Sequence, residues 1–454
     1  MKNGDDFMVS IVILASGFSK RMNENKLLLE YKGLPLIEWV IRNAKNSKAD
    51  EVLIVYKDDE VKKIAERYSV KPIYNINPEY GQSQSIKLGF ENVNVKDGVM
   101  FLPGDMPLFS CDYINNLIDE YEKNKEITVP FILNTIKAPC IFPYIYKDEF
   151  LDLKGDIGGK VIIKRFEEKL NRVYFKDIKI FYDVDYKEDI KRLDKKLVLI
   201  KGAGEIASGV ALRLKRCGFD IIMTEIEKPS TIRRKVAFAS CIYEKECSVE
   251  GVFAKYVKRI EDIERVLKDD KIPVIVDESL KILDYLNVDV LIDATLSKKN
   301  LGTKIDMAPI TIGLGPGFEA GVDVKAVVET NRGHFLGRVY YTGKAQENTG
   351  VPGEILGYTI ERVLKAPKDG KVKLIKDIGD VVKKGDLILM VDDVKVEAKI
   401  DGVIRGLIKD GYFVHEGMKI GDIDPRGNVD YCFKVSEKAL AIAGGVLEAI
   451  LGGF

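Results

Sequence analysis

The residues of this chain best suited to chemistry begin with the run Leu14-Ala15-Ser16-Gly17-Phe18-Ser19-Lys20-Arg21-Met22, followed by Lys26. Small side chains let backbone N–H groups approach phosphate oxygens closely, so Leu14, Ala15, Ser16 and Gly17 are candidates to cradle a nucleotide. Arg21 and Lys26 offer positive charge to a triphosphate. Any three of these residues suit a strand–turn with a basic, solvated flank; the whole string points to phosphate. A second run is Gly202-Ala203-Gly204-Glu205-Ile206-Ala207-Ser208-Gly209. It follows an apolar strand and opens a helix, and Glu225 ends the next strand about 20 residues on, where a ribose-binding carboxylate would sit. Gly202, Gly204 and Glu225 are therefore candidates for dinucleotide binding, although a Rossmann-type fold that binds no dinucleotide carries the same pattern. Downstream lie Arg233-Arg234, Lys298-Lys299-Asn300-Leu301-Gly302, Gly313-Leu314-Gly315-Pro316-Gly317-Phe318 and Glu329-Thr330-Asn331-Arg332-Gly333-His334. Glycine turns beside Arg and Asn suit an anionic ligand, and equally suit loops with surface charge. His334, one of two histidines, is the candidate ligand contact in this set.

Positioning such residues takes a regular scaffold, and the chain supplies one. From Val9 to about Leu193, short apolar β-rich runs (SIVILAS, EVLIVY, KPIYNI, GVMFLP, EITVPFI) alternate with stretches whose apolar residues recur at spacings of three and four (PLIEWVIRNAK, EVKKIAERY, YINNLIDEYEK). That alternation predicts an α/β fold, a mainly parallel sheet wrapped by helices. The pattern restarts at KLVLIKGAGEIASGVALRLKRCGFDIIMTEIE, a second strand–turn–helix–strand unit, which puts a boundary near residue 195. Further on, Ala366, Asp369, Gly370, Gly379, Val382, Gly385, Ile388 and Asp392 recur as Ala398, Asp401, Gly402, Gly411, Val414, Gly417, Ile420 and Asp424, at an offset of about 32 residues. Glycines and aspartates between alternating apolar residues predict two sets of short strands that interlock over a common core. The repeat resembles the barrel-sandwich hybrid of biotinyl and lipoyl domains. Lys395 lies in the hairpin between the halves, where those domains carry a modified lysine, but Asp393-Val394-Lys395-Val396 lacks a biotin site's flanking methionines, so an exposed hairpin lysine is the plainer reading. The expected domains are a Rossmann-like domain over 1–195, a second Rossmann-type domain over 196–360, the repeat over 361–427 and a helical tail over 428–454.

Composition narrows the function classes. A chain of 454 residues calls for on the order of two to four cores. Lys+Arg and Asp+Glu both number 71, so no global field draws in nucleic acid or an anionic membrane. The six cysteines form no CxxC pair and no zinc spacing, which reads as free thiols in a reducing compartment. The first residues, MKNGDDFM, carry acidic side chains and no apolar run, and the apolar tail Ala439–Phe454 is short and glycine-rich. Together these predict a cytoplasmic protein that ends in a buried helix.

Over about residues 9–195 the first string and its continuation resemble the molybdenum cofactor cytidylyltransferase family, whose pattern is LAAGxSxRMGxxK. Ser16 replaces the family's second alanine and Asn23 its glycine. Asn77-Pro78 with Gly81-Gln82-Ser83-Gln84-Ser85 is similar to the family segment that closes over the base. Leu102-Pro103-Gly104-Asp105-Met106-Pro107 is similar to its GDxP metal-binding turn, Leu153-Lys154-Gly155-Asp156-Ile157-Gly158-Gly159 to its LxGDxG segment, and Asp183-Val184-Asp185 with Glu188-Asp189 to its closing DIDTPEDL. The family's GHP triplet stands here as Lys137-Ala138-Pro139. The resemblance implies CMP transfer from CTP to a molybdopterin-type cofactor with release of pyrophosphate. Ser83 and Ser85 would contact the nucleotide, Arg21 and Lys26 the triphosphate, and Asp105 and Asp185 would hold Mg²⁺. The substrate's own phosphate attacks, so no protein nucleophile is needed. Guanylyl transfer, or transfer to another phosphorylated acceptor, fits the same scaffold. The missing histidine favours a different class, a non-catalytic cofactor-binding maturation scaffold; the retention of both aspartates and both basic residues favours the enzyme. From about 196 to 454, the order of segments resembles a family named for the selenium-dependent molybdenum hydroxylase system. That resemblance implies a maturation module with a molybdenum hydroxylase apoenzyme as partner, and a dinucleotide or the molybdenum cofactor as ligand of 196–360.

Overall fold

The computed structural model describes residues 8–18, 24–94, 97–347, 350 and 353–452. The chain divides into two compact units, Met1–Asp194 and Lys195–Phe454.

The first unit is built on β1, Val9–Ala15, an apolar run buried on both faces, as a central parallel strand must be. It pairs in parallel with β2, Glu51–Tyr56, on one side and β4, Gly98–Pro103, on the other. Beyond β2 lies β3, Lys71–Tyr74, also parallel. On the far side β5, Ile127–Ile132, β6, Cys140–Pro143, and β7, Leu170–Tyr174, extend the sheet to the order 7-5-6-4-1-2-3, and Thr135–Ile136 hairpins onto β5. Strand β6 runs antiparallel between β4 and β5, the one interruption of an otherwise parallel order. Helix α1, Leu36–Lys45, buries Leu36, Ile37, Val40, Ile41 and Ala44, the face that three- and four-residue spacing builds. Helix α2 spans Asp59–Arg67, capped by the Asp58 side chain on the Glu60 N–H, and α4 spans Cys111–Asn124.

Between them α3, Gln82–Asn92, lies directly on β1, because Gly89 carries no Cβ; one there would stand 2.8 Å from a Val12 methyl. Phe90 anchors it, with its ring centroid 5.1 Å from those of Phe101 and Phe150. Truncating a fully buried phenylalanine in such a cluster costs about 3–5 kcal/mol. The anchor sets the start of α3 over the end of β1.

The second unit carries a nine-stranded sheet. Its strands are β8, Leu197–Lys201, β9, Asp220–Glu225, β10, Glu246–Val249, β11, Val252–Val257, β12, Ile272–Val276, β13, Val290–Asp293, β14, Ile310–Leu314, β15, Ala326–Val328, and β16, Val339–Tyr340. The order is 10-11-12-9-8-13-14-15-16, parallel except for the two edge pairs. Helix α5, Glu205–Arg216, follows β8, and α6, Glu437–Leu451, packs against it. The crossing is close: a Cβ on Gly209 would stand 2.6 Å from that of Ala439. No helix among the described residues is long and apolar enough to cross a membrane.

The repeat folds as two four-stranded antiparallel sheets. One holds Val363–Lys365 and Val381–Val382 from the first half with Gly402–Leu407 and Lys419–Asp424 from the second. The other joins Gly370–Leu374, Leu387–Val391 and Val394–Glu397 to Phe413–Val414. Each sheet takes strands from both halves, so neither half can bury its apolar face alone. Ile388, Val391, Ile404, Leu407 and Ile420 meet in one core. Lys395 is exposed on the strand Val394–Glu397.

Candidate active site

Strand order reverses at β1, whose neighbours β2 and β4 carry their following loops away from each other. Such a reversal opens a crevice at the carboxyl ends of the strands. A cavity of about 380 Å³ lies there, lined by Ser16, Gly17, Phe18, Lys26, Gln82, Ser85, Asp105 and Asp156 among others. Leu14 and Ala15 end β1 below it. Arg21 lies outside the described residues.

A buried polar triad fixes the floor. Ser16 Oγ lies 2.6 Å from Ser85 Oγ, and Asn75 Nδ2 donates to Ser16 Oγ at 3.0 Å and to Ser85 Oγ at 3.4 Å. Asn75 also accepts the Asn77 N–H at 3.1 Å, turning the chain toward Pro78. All three side chains are buried, so each depends on the others for its hydrogen bonds. Sequence reasoning missed Asn75; its one signal is an amide ending an apolar strand. Ser85, a residue the sequence singles out, lines the cavity, and its partner Ser16 stands where the resembled family has alanine.

Two segments remote in sequence interlock at the rim. Gly81 has φ +81°, and a Cβ there would stand 2.6 Å from the Gly155 carbonyl carbon. The Ser83 N–H donates to Gly155 O at 3.3 Å, and the Gln82 N–H to Asp156 Oδ1 at 3.4 Å. Ser83 thus serves the contact between the two turns, with its hydroxyl on Tyr80 O at 3.4 Å.

The charged centre is compact. Lys26 opens a short 3-10 turn, Lys26–Leu28, capped by the Asn25 side chain on the Leu27 N–H at 3.1 Å. Its Nζ reaches Asp105 Oδ2 at 2.6 Å and Asp185 Oδ1 at 3.2 Å. The Val184 N–H donates to Asp105 O at 3.4 Å, which ties the two acidic segments together. Asp189 Oδ2 accepts the Asp185 and Tyr186 N–H groups at 2.9 and 2.7 Å and so holds the Asp185 turn. Burial pushes the Asp105 carboxyl above the ordinary aspartate range, against the pull of Lys26, and Asp183 adds repulsion. Burial alone would lower the Lys26 pKa, but Asp105 and Asp185 outweigh it and raise it. Both side chains are mostly buried, at 17% exposed for Asp105 and 22% for Lys26, so water screens this pair little.

Two carboxylates that converge on one cation are a donor set that suits Mg²⁺, which takes one or two protein carboxylates and draws its other oxygens from phosphates and water. Among the described residues no cluster of three or more His, Cys, Asp or Glu side chains could hold a metal by itself. A divalent ion held by these two carboxylates would complete its shell with oxygens from phosphates and water.

In the second unit Gly202, Ala203 and Gly204 form the turn between β8 and α5. Gly202 has φ +98°, and a Cβ there would stand 3.2 Å from Ala294 O. Glu225 reaches back to this turn and accepts the Ala203 and Ile226 N–H groups, each at 2.8 Å. Burial raises its pKa. His334 is exposed, with its ring edge-on to Phe335 at 5.4 Å between centroids.

The doubly wound sheet with its glycine–serine turn, lysine and paired aspartates defines a nucleotidyltransferase domain. The chain belongs to the MobA-like NTP transferase family, which it matches over residues 11–172. It is 30% identical over 179 residues to the probable molybdenum cofactor guanylyltransferase of Aquifex aeolicus, covering 39% of this chain and 76% of that protein. It is 52% identical over 255 residues to the uncharacterized protein YqeB of Escherichia coli, covering 56% of this chain and 47% of that protein. That stretch is longer than the first unit and so includes residues of the second. The chain spans less than half the length of the first curated relatives it matches. Among solved structures, a nucleotidyl transferase of Methanothermobacter thermautotroptrophicus aligns with 19% identity and a TM-score of 0.37, over 41% of this chain and 95% of that one.

Proposed function

We propose that the first unit transfers a nucleoside monophosphate, CMP from CTP, to the phosphate of a molybdopterin-type cofactor and releases pyrophosphate. One observation carries this reading: Asp105 and Asp185 converge on the Lys26 ammonium at the mouth of the Ser16–Phe18 crevice. The turn residues Leu14, Ala15, Ser16 and Gly17, with Ser85 beneath them, receive the nucleotide. Lys26 and Arg21 supply charge to the triphosphate. Asp105 and Asp185 are the residues that would hold Mg²⁺, which when bound offsets charge on the phosphates and the departing pyrophosphate. The protein's own contribution is to align the acceptor phosphate with the α-phosphorus and to keep the crevice charge balanced. The name of the Aquifex aeolicus relative supports a second reading, transfer of GMP on the same scaffold.

For the second unit the same reading assigns a Rossmann-type domain over 196–360, a barrel-sandwich hybrid over 361–427 and a helical tail over 428–454. They would act as a maturation module that takes a dinucleotide or the molybdenum cofactor and serves a hydroxylase apoenzyme. The parallel sheet with its Gly202–Gly204 turn and the interlocked repeat sheets support it.

The test is pyrophosphate release by the full chain with molybdenum-loaded molybdopterin and Mg²⁺, comparing CTP, GTP and the Asp105→Ala variant. CTP-selective release that is lost in the variant supports the cytidylyl reading, and GTP selectivity replaces it with the guanylyl one. No release from folded protein with either nucleotide overturns both.

A further inference from the structure

The cysteines separate into four dispersed thiols and one pair. Cys241 opens the short helix Cys241–Glu244, and Cys247 lies on β10, an edge strand of the nine-stranded sheet. Their sulfurs stand 2.6 Å apart, inside ordinary sulfur–sulfur contact and within reach of the ~2.05 Å of a covalent bond. Cys241 is buried, whereas Cys247 is half-buried on a strand that, among the described residues, has no neighbour on its outer side. The hydrogen bond to Cys247, then burial, raises the Cys241 thiol pKa. The accessible sulfur is therefore the one to meet an outside reagent, and the buried sulfur the one to resolve it.

The segment that carries the pair buttresses the glycine turn. The Ala239 N–H donates to Ala203 O and the Phe238 N–H to Ser208 Oγ, both at 2.8 Å. Cys247 Sγ lies 3.8 Å from Phe238 O, which links the edge strand to the same stretch.

We propose that Cys241 and Cys247 form a redox-active dithiol that a low-molecular-weight disulfide converts into an intrachain disulfide. The Cys247 thiolate attacks one sulfur of the small disulfide RSSR. A Cys247–S–S–R bond forms, the RS–SR bond breaks, and the departing RS⁻ takes up the proton that Cys247 lost. Cys241, deprotonated in turn, attacks the Cys247 sulfur and expels the second RS⁻, which leaves as RSH with the Cys241 proton. Two cysteine thiols are oxidised and one RSSR is reduced to two RSH; excess thiol runs the steps backwards. Oxidation closes a short loop whose upstream arm packs on the Gly202–Gly204 turn.

The experiment exposes the folded full chain to oxidised glutathione, quenches in acid, alkylates under denaturing conditions and maps peptides by mass. The expected result is Cys241 and Cys247 both unlabelled and joined in one cross-linked peptide, reversed by reduced glutathione. Cys241→Ser, shown folded by cooperative thermal unfolding, leaves Cys247 trapped as its glutathione adduct. Labelled thiols at both positions in the oxidised wild type would overturn the proposal. So would a stable glutathione adduct on wild-type Cys247, or a cross-link that appears only after unfolding.

Discussion

Asp105→Asn separates what the charged centre does for the fold from what it does for catalysis. The amide has the shape of the carboxylate, so geometry stays and charge goes. The 2.6 Å bond from Lys26 is charge-assisted, a class worth about 1.5–3 kcal/mol net. Two features offset its loss: Lys26 keeps Asp185 at 3.2 Å, and the amide escapes the burial that pushes the Asp105 carboxyl pKa up. The opposing terms leave a net change of about 1 kcal/mol or less, which is about 2–4 °C in Tm for a unit of this size. Catalysis has no such offset. Removing one preorganised charge that faces the phosphates costs about 10²–10³-fold in kcat, or about 3–4 kcal/mol of barrier. The assays are pyrophosphate release at saturating nucleotide and Mg²⁺, and calorimetric Tm without ligands. A kcat within about 10-fold of wild type would refute the assignment of Asp105, and a Tm drop beyond about 10 °C would refute the balance of terms.

Asn75→Ala removes a donor from Ser16 and Ser85 and an acceptor from the Asn77 N–H, and is expected to cost about 1–3 kcal/mol by urea unfolding. It should also raise the nucleotide KM more than it lowers kcat, which steady-state kinetics would resolve. Glu225 has a raised pKa in the folded state, so the native protein holds that proton more tightly than the unfolded chain. Its contribution to stability is complete below the usual glutamate value near 4.5 and declines as pH rises through the raised value. Glu225→Gln should flatten that part of the stability–pH curve, read from urea midpoints across the acid range. Gly209→Ala forces a methyl against Ala439 at 2.6 Å, and overpacking of this kind is expected to cost about 1–3 kcal/mol in thermal unfolding.

Much of the scaffold is legible because burial leaves a period in the sequence. Strand β1 reads as apolar but for Ser10 because helices or strands cover all its sides, and α1 shows its three- and four-residue face because only one side is covered. The antiparallel β6 is harder to see: Cys140–Pro143 is a short apolar run, and nothing local says that it inserts between β4 and β5. In the site, a lysine after a small-residue turn is readable as charge for phosphates. That its ammonium bridges Asp105 and Asp185 depends on the meeting of three segments far apart in the chain. The role of Asn75 is hidden for a similar reason: the amide at the end of its strand is readable, but its partners are 59 and 10 residues away. The Cys241–Cys247 spacing matches no redox motif; the turn of the chain into edge strand β10 brings the sulfurs together.

Both units place a glycine turn after the strand at which the sheet order reverses, yet the two turns differ in how their polar groups are used. In the second unit the turn's own carboxylate neighbour, Glu225, already occupies the Ala203 N–H. A ligand phosphate arriving there must share or displace that carboxylate. In the first unit the arrangement among the described residues differs: the hydroxyl of Ser16 is fixed from below by Asn75 and Ser85, and Asp105 and Asp185 meet on Lys26. Two carboxylates that close to each other would repel without a cation between them. Lys26, bonded to both, therefore helps Asp105 and Asp185 stand together before substrate arrives, and it faces the same crevice that the triphosphate must enter. A lysine with that double position is suited to hand its charge from carboxylates to phosphates. Arginine in its place, with a fixed planar fork, would hold the acids but fit the exchange less well.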